Sequence, residues 1–324
     1  MQVLTVRSES DLSKLDKNLP LIKKGCVVAL GFFDGIHLAH RALIESAKKE
    51  AKKLNLPLTV FTFSQNNTSF KAEQPRLLTE EEKLSELSAL GVDVSFVFDF
   101  DLIKDISADA FVEQILVTRL NTHTAFCGFN FKFGKNAGGD CATLQEEMKR
   151  LGRRAVVIDE YKERGTSLSS SVIRSLILDK KLREASRLLG KPFFLDGKVT
   201  HGLGLGKKLG IPTVNIPLKQ EKLSLARGVY FTVTDVSGTL YPGITNVGTC
   251  PTFDEREVHT ETFIFDFNDD LYNADIRIYF IDFLREEIKF SSKEELIMQI
   301  NVDKARALTL KKEIKWLEIG LNLQ

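Results

Sequence analysis

Two histidines follow an apolar stretch and a tight turn near the amino terminus. The segment reads Gly31-Phe-Phe-Asp34-Gly35-Ile-His37-Leu-Ala-His40. Because the histidines are three residues apart, they share one face of a helix. A helix start also offers unpaired N–H groups and a partial positive charge, which suit phosphate. Imidazole N–H donors there suit a triphosphate and the charge that moves onto a departing pyrophosphate. Taken alone, the pair also fits a surface position or part of a metal site.

A glycine-rich segment in the second half of the chain is the other candidate. Its glycines are Gly202, Gly204, Gly206 and Gly210. Glycines let backbone N–H groups converge on an anion, and Lys207 and Lys208 add positive charge. No Gly-Lys-Ser/Thr sequence precedes a helix, so this is not a Walker loop. Thr213 and Asn215 follow with a hydroxyl and an amide oxygen, which are hard ligands suited to Mg²⁺. By composition alone, the segment also fits a mobile surface loop.

The elements that must position the histidines alternate strand and helix. Strands are predicted at the apolar runs 26–33, 58–63, 94–98, 124–129 and 155–158. Their continuous apolar character is typical of a parallel sheet covered on both faces. Helices are predicted after His40, over 80–90 behind Thr79, and over 108–120 behind Ser107. This alternation predicts an open α/β sheet of the nucleotide-binding kind, which binds ligands at the carboxyl ends of its strands.

The pattern changes near residue 190. A helical stretch over 170–189 ends at Gly190, and strands are predicted at 193–199, 228–236, 239–247, 260–267 and 275–284. A hairpin turn is predicted at Ser237–Gly238. Successive strands without helices between them favour a small antiparallel β-barrel. A closing helix carries Ala307, Leu310, Ile314 and Leu317 on one face. We expect two domains, 1–188 and 189–324.

Composition excludes several classes of protein. The chain has 324 residues, with 45 Lys and Arg against 44 Asp and Glu, a net charge of +1. This net charge creates no strong positive electrostatic field that would attract nucleic acid. No stretch approaches the roughly 20 consecutive apolar residues that a membrane span needs. The amino terminus lacks an apolar signal core, so we expect a cytoplasmic protein. The four cysteines form no Cys-x-x-Cys pair, which favours reduced thiols over disulfides or zinc.

The segment 31–40 resembles the Gly-x-Phe-Asp-Gly-x-His-x-Gly-His signature of prokaryotic FAD synthetases, nucleotidyltransferase-superfamily domains fused to a riboflavin kinase. The segments 77–93, 128–140 and 167–177 are similar to later stretches of that family and occur in its order. The resemblance implies an amino-terminal FMN adenylyltransferase domain with His37, His40 and Arg174 as catalytic residues. It also implies that the nucleotide contacts Gly31, Phe33, Asp34, Asn130, Ser170 and Ser171.

The glycine-rich segment resembles the riboflavin kinase signature that ends in Gly-x-Pro-Thr-Ala-Asn, with Val214 in place of the alanine. The segments 246–253, 261–267 and 283–290 follow in the family's order. The resemblance implies Glu261 as general base, Thr213 and Asn215 as Mg²⁺ ligands, and Arg285 on the flavin side. It also implies that ATP contacts Gly202, Gly204, Gly206, Lys207, Gly210, Thr213 and Asn215.

The residue types agree with two different phosphate chemistries. An FMN phosphate is already anionic, so its attack on ATP needs charge screening rather than a strong base. A ribityl alcohol is barely acidic and does need a base. We therefore expect a bifunctional enzyme that converts riboflavin to FMN and FMN to FAD, using ATP and Mg²⁺. We expect a monomer or weak homo-oligomer with small-molecule substrates and no nucleic-acid or membrane partner.

The sequence departs from the family pattern at Ala39, Asn130, 64–67, Phe263 and Asn273. These departures leave two alternatives open: only one activity is retained, or the chain is a flavin- or nucleotide-binding regulatory protein without turnover. Glu261 and the paired histidines argue against the second alternative, because simple binding needs neither. A nucleic-acid-binding barrel is a weaker rival, since Lys207 and Lys208 have no aromatic residues between them.

Overall fold

The structure is a computed structural model that describes residues 1–15, 19–64, 74–163, 165–200, 211–249 and 258–321. The chain divides into two compact units, Met1–Ser169 and Ser170–Gln324. Each unit contains one six-stranded sheet. The helical stretch 170–189 falls within the second unit. The domain boundary that we place between residues 188 and 189 stays a prediction.

A parallel sheet organises the first unit. Its strands are β1 (Gln2–Val6), β2 (Cys26–Leu30), β3 (Leu58–Phe63), β4 (Val94–Phe98), β5 (Thr122–Gly128) and β6 (Arg154–Ile158). They lie in the order β1-β4-β3-β2-β5-β6, and every neighbouring pair is parallel. The predicted open α/β sheet is confirmed, although β1 was missed. Because β3 and β5 flank β2 on opposite sides, the crevice beyond β2 and β5 is the topological switch point.

Helices cover this sheet. They are α1 (Glu9–Lys14), α2 (Leu38–Leu54), α3 (Glu80–Ala89), α4 (Ala108–Ala110) and α5 (Cys141–Arg150). Thr79 caps α3 in a reciprocal capping box with Glu82, and Ser107 caps α4, as their positions in the sequence predict. The helix that α4 begins continues as a π-helix over Phe111–Arg119, which the sequence did not predict. A short hairpin of β7 (Lys162–Glu163) and β8 (Thr166–Ser167) ends the unit.

The second unit is a nearly closed antiparallel barrel, as predicted. Helices α6 (Ser170–Leu178) and α7 (Leu182–Leu189) precede β9 (Phe193–Lys198), β10 (Val214–Pro217), β11 (Gly228–Val236), β12 (Thr239–Thr249), β13 (Val258–Ile264) and β14 (Asp275–Arg285). The strand order is β10-β13-β12-β11-β14-β9. An isolated bridge between Thr200 and Asn215 joins the two ends of the sheet. The predicted hairpin at Ser237–Gly238 is confirmed, with φ of 51° and 87°, the positive values that a type I′ turn needs.

The two faces of the barrel differ. Outward-facing Phe231, Val233 and Ile244 pack in an apolar cluster with Ala307 and Ile314 at the carboxyl-terminal end. On the inner face, Thr232, Thr245 and Thr262 are fully buried. Their hydroxyl groups form a chain, with oxygen–oxygen distances of 2.9 and 2.8 Å. Each buried hydroxyl in this chain therefore has a hydrogen-bond partner.

The closing helix, α8 (Lys293–Glu313), is shorter than predicted. Ala307 and Ile314 are buried as expected, but Leu317 is 82% exposed in a following 3-10 turn, so its predicted place on the apolar face is wrong. The indole Nε1–H of Trp316 donates to the Lys311 carbonyl at 3.0 Å and so satisfies a terminal helix carbonyl. Among the described residues, no helix combines the length and apolar character needed to cross a bilayer.

Candidate active sites

The turn between β2 and α2 has an uncommon backbone. Phe33, Gly35 and Ile36 have φ of 57°, 82° and 43°. A β-branched residue rarely adopts positive φ, and such outliers cluster at functional sites. Phe33 and Ile36 are fully buried, so packing stabilises the conformation. A Cβ on Gly31 would lie 3.0 Å from the Phe33 ring, so glycine makes room for that ring.

The structure brings the two predicted histidines into direct contact. Their rings stack with centroids 3.7 Å apart and planes at 14°. His37 lies at the N-cap of α2, where its Nδ1 accepts from the His40 backbone N–H at 3.4 Å. Because Nδ1 acts as acceptor, Nε2 carries the proton and remains a donor. The Phe33 ring meets His40 edge-on at 5.2 Å.

Burial keeps both imidazoles uncharged at neutral pH. Loss of solvation lowers the pKa of His37 to about 4. The pKa of His40 is also lowered well below its usual value, by burial first and by its neighbour His37 second. His40 Nδ1 is buried without a hydrogen-bond partner among the described residues. An unsatisfied buried nitrogen beside a neutral N–H donor is chemistry that suits a bound polar ligand.

Asp34 and Asn130 take different positions around this turn. Asp34 is buried, and its Oδ1 accepts from the backbone N–H groups of Leu77 and Leu78 at 2.9 and 3.3 Å. Its carboxylate therefore ties the turn to the segment that leads into α3. Asn130 is exposed just after β5, the strand beside β2. The turn 31–40 and Asn130 thus follow neighbouring strands at the carboxyl edge of the sheet. The nucleotide contacts of both residues stay predictions.

Ser170, Ser171 and Arg174 lie on α6 in the second compact unit. Arg174 Nη1 donates to Ser171 Oγ at 3.4 Å, which spans one turn of the helix. Their predicted roles beside the nucleotide of the adenylyl-transfer site stay predictions.

Glu261 occupies a well-defined place on the barrel. It lies directly across from Asn215 on β10 and from Asn246 on β12. Directly opposed residues of antiparallel strands point to the same face, with Cβ atoms about 4.5 to 5.5 Å apart. The exposed Glu261 side chain is therefore flanked by two half-buried amides on the outer face. Asn246 is not among the residues predicted from the sequence, because its position beside Glu261 depends on the pairing of β12 with β13.

A cavity of about 210 Å³ adjoins this row of side chains. Thr213 and Asn215 line it, together with Leu271, Tyr272 and Asp269. The predicted glycine-rich contacts Gly202, Gly204, Gly206, Lys207 and Gly210 lie outside the described residues. The flanks of that segment are joined, because the Thr200 N–H donates to the Asn215 carbonyl at 2.9 Å.

Arg285 is engaged by a buried carboxylate. Its guanidinium donates three hydrogen bonds to Asp303 on α8, at 3.0, 3.0 and 2.8 Å. Gln299 also donates to Asp303, at 2.9 Å. These contacts join β14 to α8. The flavin contact of Arg285 stays a prediction.

The departures from the family pattern have local explanations. Asn273 has φ of 64°, which glycine adopts freely and asparagine tolerates. Phe263 packs in the apolar outer cluster, edge-on to Phe265 at 5.5 Å. Ala39 is half-buried in the first turn of α2. In the stretch 64–67, Ser64 donates to Glu80 at 3.0 Å, and residues 65–67 lie outside the described residues.

Comparisons with known proteins match two family models to two successive parts of the chain. The FAD synthetase family model matches residues 19–172, and the riboflavin kinase family model matches residues 189–311. The bifunctional riboflavin kinase/FMN adenylyltransferase of Bacillus subtilis (strain 168) is 34% identical over 290 residues, 87% of this chain and 91% of that protein. The protein of the same name from Escherichia coli (strain K12) is 34% identical over 290 residues, 88% of this chain and 92% of its own length.

One solved structure resembles the chain over nearly its full length. A crystal structure named macrolide-efflux protein, from Streptococcus pneumoniae, matches with a TM-score of 0.80 at 28% identity. The match covers 94% of this chain and 99% of that one. The whole architecture, sheet unit followed by barrel unit, therefore recurs in a solved protein.

Proposed function

The chain belongs to the family of bifunctional riboflavin kinases/FMN adenylyltransferases, and from that premise we propose how its residues divide the two reactions. The enzyme phosphorylates riboflavin to FMN and adenylylates FMN to FAD, with ATP as the other substrate. The carrying observation is that each compact unit holds a different set of polar groups: stacked neutral histidines in one and a carboxylate between two amides in the other.

In adenylyl transfer, an FMN phosphate oxygen attacks the α-phosphorus of ATP. The bond from that phosphorus to the bridging oxygen breaks, and pyrophosphate leaves with the electron pair. The incoming nucleophile is already anionic, so the protein needs to orient and screen phosphates. We assign the His37 Nε2–H and His40 to these phosphates, with Gly31, Phe33, Asp34 and Asn130 shaping the pocket. Ser170, Ser171 and Arg174 add a hydroxyl pair and a fixed positive charge.

In the kinase reaction, the ribityl hydroxyl of riboflavin attacks the γ-phosphorus of ATP and ADP leaves. Glu261 takes the hydroxyl proton as the new phosphorus–oxygen bond forms. The flanking Asn215 and Asn246 hold polar groups on either side of this carboxylate. A base between two amides stays solvated and oriented, which general-base chemistry needs. Arg285 borders the flavin from β14.

Thr213 and Asn215 would hold Mg²⁺ with ATP phosphates. Their hydroxyl and amide oxygens are hard donors two residues apart, and on extended backbone such residues share a face. Among the described residues, no three His, Cys, Asp or Glu side chains gather into a metal site. Few protein ligands suit Mg²⁺, which keeps several waters and binds substrate phosphates. When bound, the ion neutralises charge on the transferring phosphate.

We further propose that the enzyme works in the cytoplasm on small molecules alone, as a monomer or weak homo-oligomer. The supporting observations are the balanced charge and the free thiols of Cys26, Cys127 and Cys141. The glycine-rich segment then binds ATP phosphates through Gly202, Gly204, Gly206, Lys207 and Gly210 rather than a nucleic acid.

A product assay tests the reactions. The full chain is incubated with riboflavin, ATP and Mg²⁺, and flavins are separated by chromatography. FMN should appear first and FAD later. If FMN accumulates and no FAD forms, the adenylyl-transfer activity is absent. If supplied FMN becomes FAD while riboflavin is not consumed, the kinase activity is absent. Flavin binding without ADP or pyrophosphate would identify a regulatory protein instead.

A further inference from the structure

Lys83 is a fully buried lysine in the first unit, and neither reaction described above uses it. It is the fourth residue of α3. Its Nζ donates to the Phe63 carbonyl at 2.9 Å and to Thr62 Oγ1 at 3.3 Å, both at the carboxyl end of β3. Neither partner is a carboxylate, and no described carboxylate forms an ion pair with it. Burying an ammonium group is costly even with the carboxylates of Glu80 and Asp34 nearby, which points to a role for Lys83 besides stability.

Hydrogen bonds connect Lys83 to the turn that leads to the histidines. Thr62 accepts from Lys83 and donates its own hydroxyl proton to the Phe32 carbonyl at 3.0 Å. The Phe32 ring centroid also lies 5.2 Å from the ammonium nitrogen, within cation–π range. Lys83 therefore holds Phe32 by its backbone, through Thr62, and by its ring.

A second contact fixes the same turn to the same helix. Asp34 accepts from the N–H groups of Leu77 and Leu78, immediately before Thr79 caps α3. The turn is thus attached near the beginning of α3 through Asp34 and within α3 through Lys83. Phe32 and Asp34 are therefore both attached to α3 or to the segment that precedes it. His37 lies three residues after Asp34 in the sequence.

We infer that Lys83 is a positioning residue for adenylyl transfer, which holds the turn 31–36 so that the paired imidazoles face the substrate phosphates. This inference rests on the proposed role of the histidines. Lys83 itself is fully buried and touches no substrate. It acts through Thr62 and Phe32, so its loss displaces groups that must be aligned with the reacting atoms. Displacements of about 1 Å can cost ~100-fold in rate.

The charge on Lys83 gives this role a pH signature. Burial lowers the pKa of Lys83 to about 8, Glu80 and Asp34 oppose that shift, and Arg76 adds to it. Glu80 lies on its own helix, Asp34 on the turn and Arg76 on the segment before α3. The ammonium loses its proton as pH rises through this value, and its hold on the Phe32 ring weakens. FAD formation should therefore decline in the weakly alkaline range.

The test compares Lys83→Met, Lys83→Arg and the control Lys48→Met in the full chain. Lys48 donates to the Leu90 carbonyl at 2.8 Å at the other end of α3 and does not touch the turn. FAD formation from FMN and FMN formation from riboflavin are measured for each variant from pH 6.5 to 9.5. Lys83→Met should lower kcat/KM for FAD formation at least ~10-fold, without changing FMN formation. Lys83→Arg stays charged and should retain activity at pH 9, where the wild type declines.

Several results would overturn this inference. They are normal FAD formation in Lys83→Met, an equal loss in Lys48→Met, or an alkaline decline in Lys83→Arg that matches the wild type. If Lys83→Met does not fold, the pH dependence of FAD formation by Lys83→Arg alone tests the positioning role. A wild-type protein that makes no FAD from FMN would overturn the proposed function as well. Normal wild-type FAD formation that is indifferent to Lys83 would overturn only the positioning role.

Discussion

At the scale of single residues, the role of a side chain depends on which of its atoms are already engaged. Nδ1 of His37 caps a helix, so only Nε2 is left to meet a substrate. The guanidinium of Arg285 is held by Asp303, which fixes the position of a side chain that we propose borders the flavin. Glu261 has an exposed side chain on the outer face of the barrel, across from two amides. A carboxylate in that setting is suited to take a proton from a substrate.

Replacing Glu261 with glutamine tests that assignment. Glutamine keeps the size of the side chain and cannot accept the ribityl proton, so FMN formation should fall by roughly 100- to 10,000-fold. FAD formation from supplied FMN should be unchanged. Both rates are measured by chromatography of the products. Glu313→Gln, at the exposed end of α8, is the matched control. A variant at Glu261 that still phosphorylates riboflavin at the wild-type rate would remove this residue from catalysis.

Replacing His37 with asparagine distinguishes two functions of this side chain, the N-cap of α2 and the proposed Nε2–H donor. Asparagine is a good N-cap, so α2 should keep its start while the Nε2–H donor is lost. FAD formation should fall by about 100-fold, and FMN formation should not change. The exposed His123 on β5 provides the control, His123→Asn. Equal damage to both reactions in a folded His37→Asn protein would show that the sites are not separate.

The buried imidazole also predicts a pH-dependent stability. The pKa of His37 is about 4 in the folded protein, against an ordinary value of 6.5. Between these values the unfolded chain binds the proton more readily, so the free energy of unfolding falls as pH decreases from 6.5 to 4. The contribution lost is on the order of 3 kcal/mol. Urea unfolding at several pH values should show a shallower dependence in His37→Asn, and identical curves would contradict the prediction.

At the scale of elements, hydrophobic periodicity predicted most of the architecture. It placed β3, β4 and β11 at their observed bounds and found the caps of α3 and α4. Periodicity assigns a face only to apolar residues, so it gives no sign that the Lys83 side chain is fully buried. Pairing between distant strands decides that Asn246 lies beside Glu261. No local pattern contains that information.

A turn before β14 shows how one element accommodates an unusual residue. Asn273 adopts φ of 64°, a conformation that costs alanine about 1 kcal/mol. Asn273→Ala should therefore lower the free energy of unfolding by about that amount, and Asn273→Gly should change it by less than about 0.5 kcal/mol. Urea unfolding of the full chain measures both. Asn268→Ala, a nearby exposed position outside the left-handed region, serves as control, and an equal loss there would contradict the explanation.

At the scale of the whole molecule, two architectures perform two reactions on one flavin. The parallel sheet carries the paired histidines beyond the carboxyl end of β2, and the antiparallel barrel carries Glu261, our proposed base, on its outer face. The product of the kinase reaction is the substrate of the adenylyl transfer. We propose that the sheet unit supplies most of the groups for adenylyl transfer and the barrel unit those for phosphorylation, so that one chain carries two successive steps.

Mixing two inactive variants tests whether the steps communicate through free FMN. Glu261→Gln alone and His37→Asn alone should each fail to convert riboflavin to FAD. Together they should restore FAD formation after a lag, because FMN made by one protein must reach the other. Time courses of the three flavins would show the lag. Failure of the mixture, when both variants keep their other activity, would mean that His37→Asn does not release the FMN that it makes.

The hydroxyl chain inside the barrel has a consequence for the carboxylate outside it. Thr262 directly follows Glu261, so the strand that exposes our proposed base to solvent places the next side chain inside the barrel. A shift of that strand by one position would turn the Glu261 carboxylate inward among the buried threonines and turn the Thr262 hydroxyl outward. The hydrogen-bonded threonines thus help to hold the register of this strand. We expect that weakening them from within the barrel would lower riboflavin phosphorylation without altering any group that we propose to meet riboflavin.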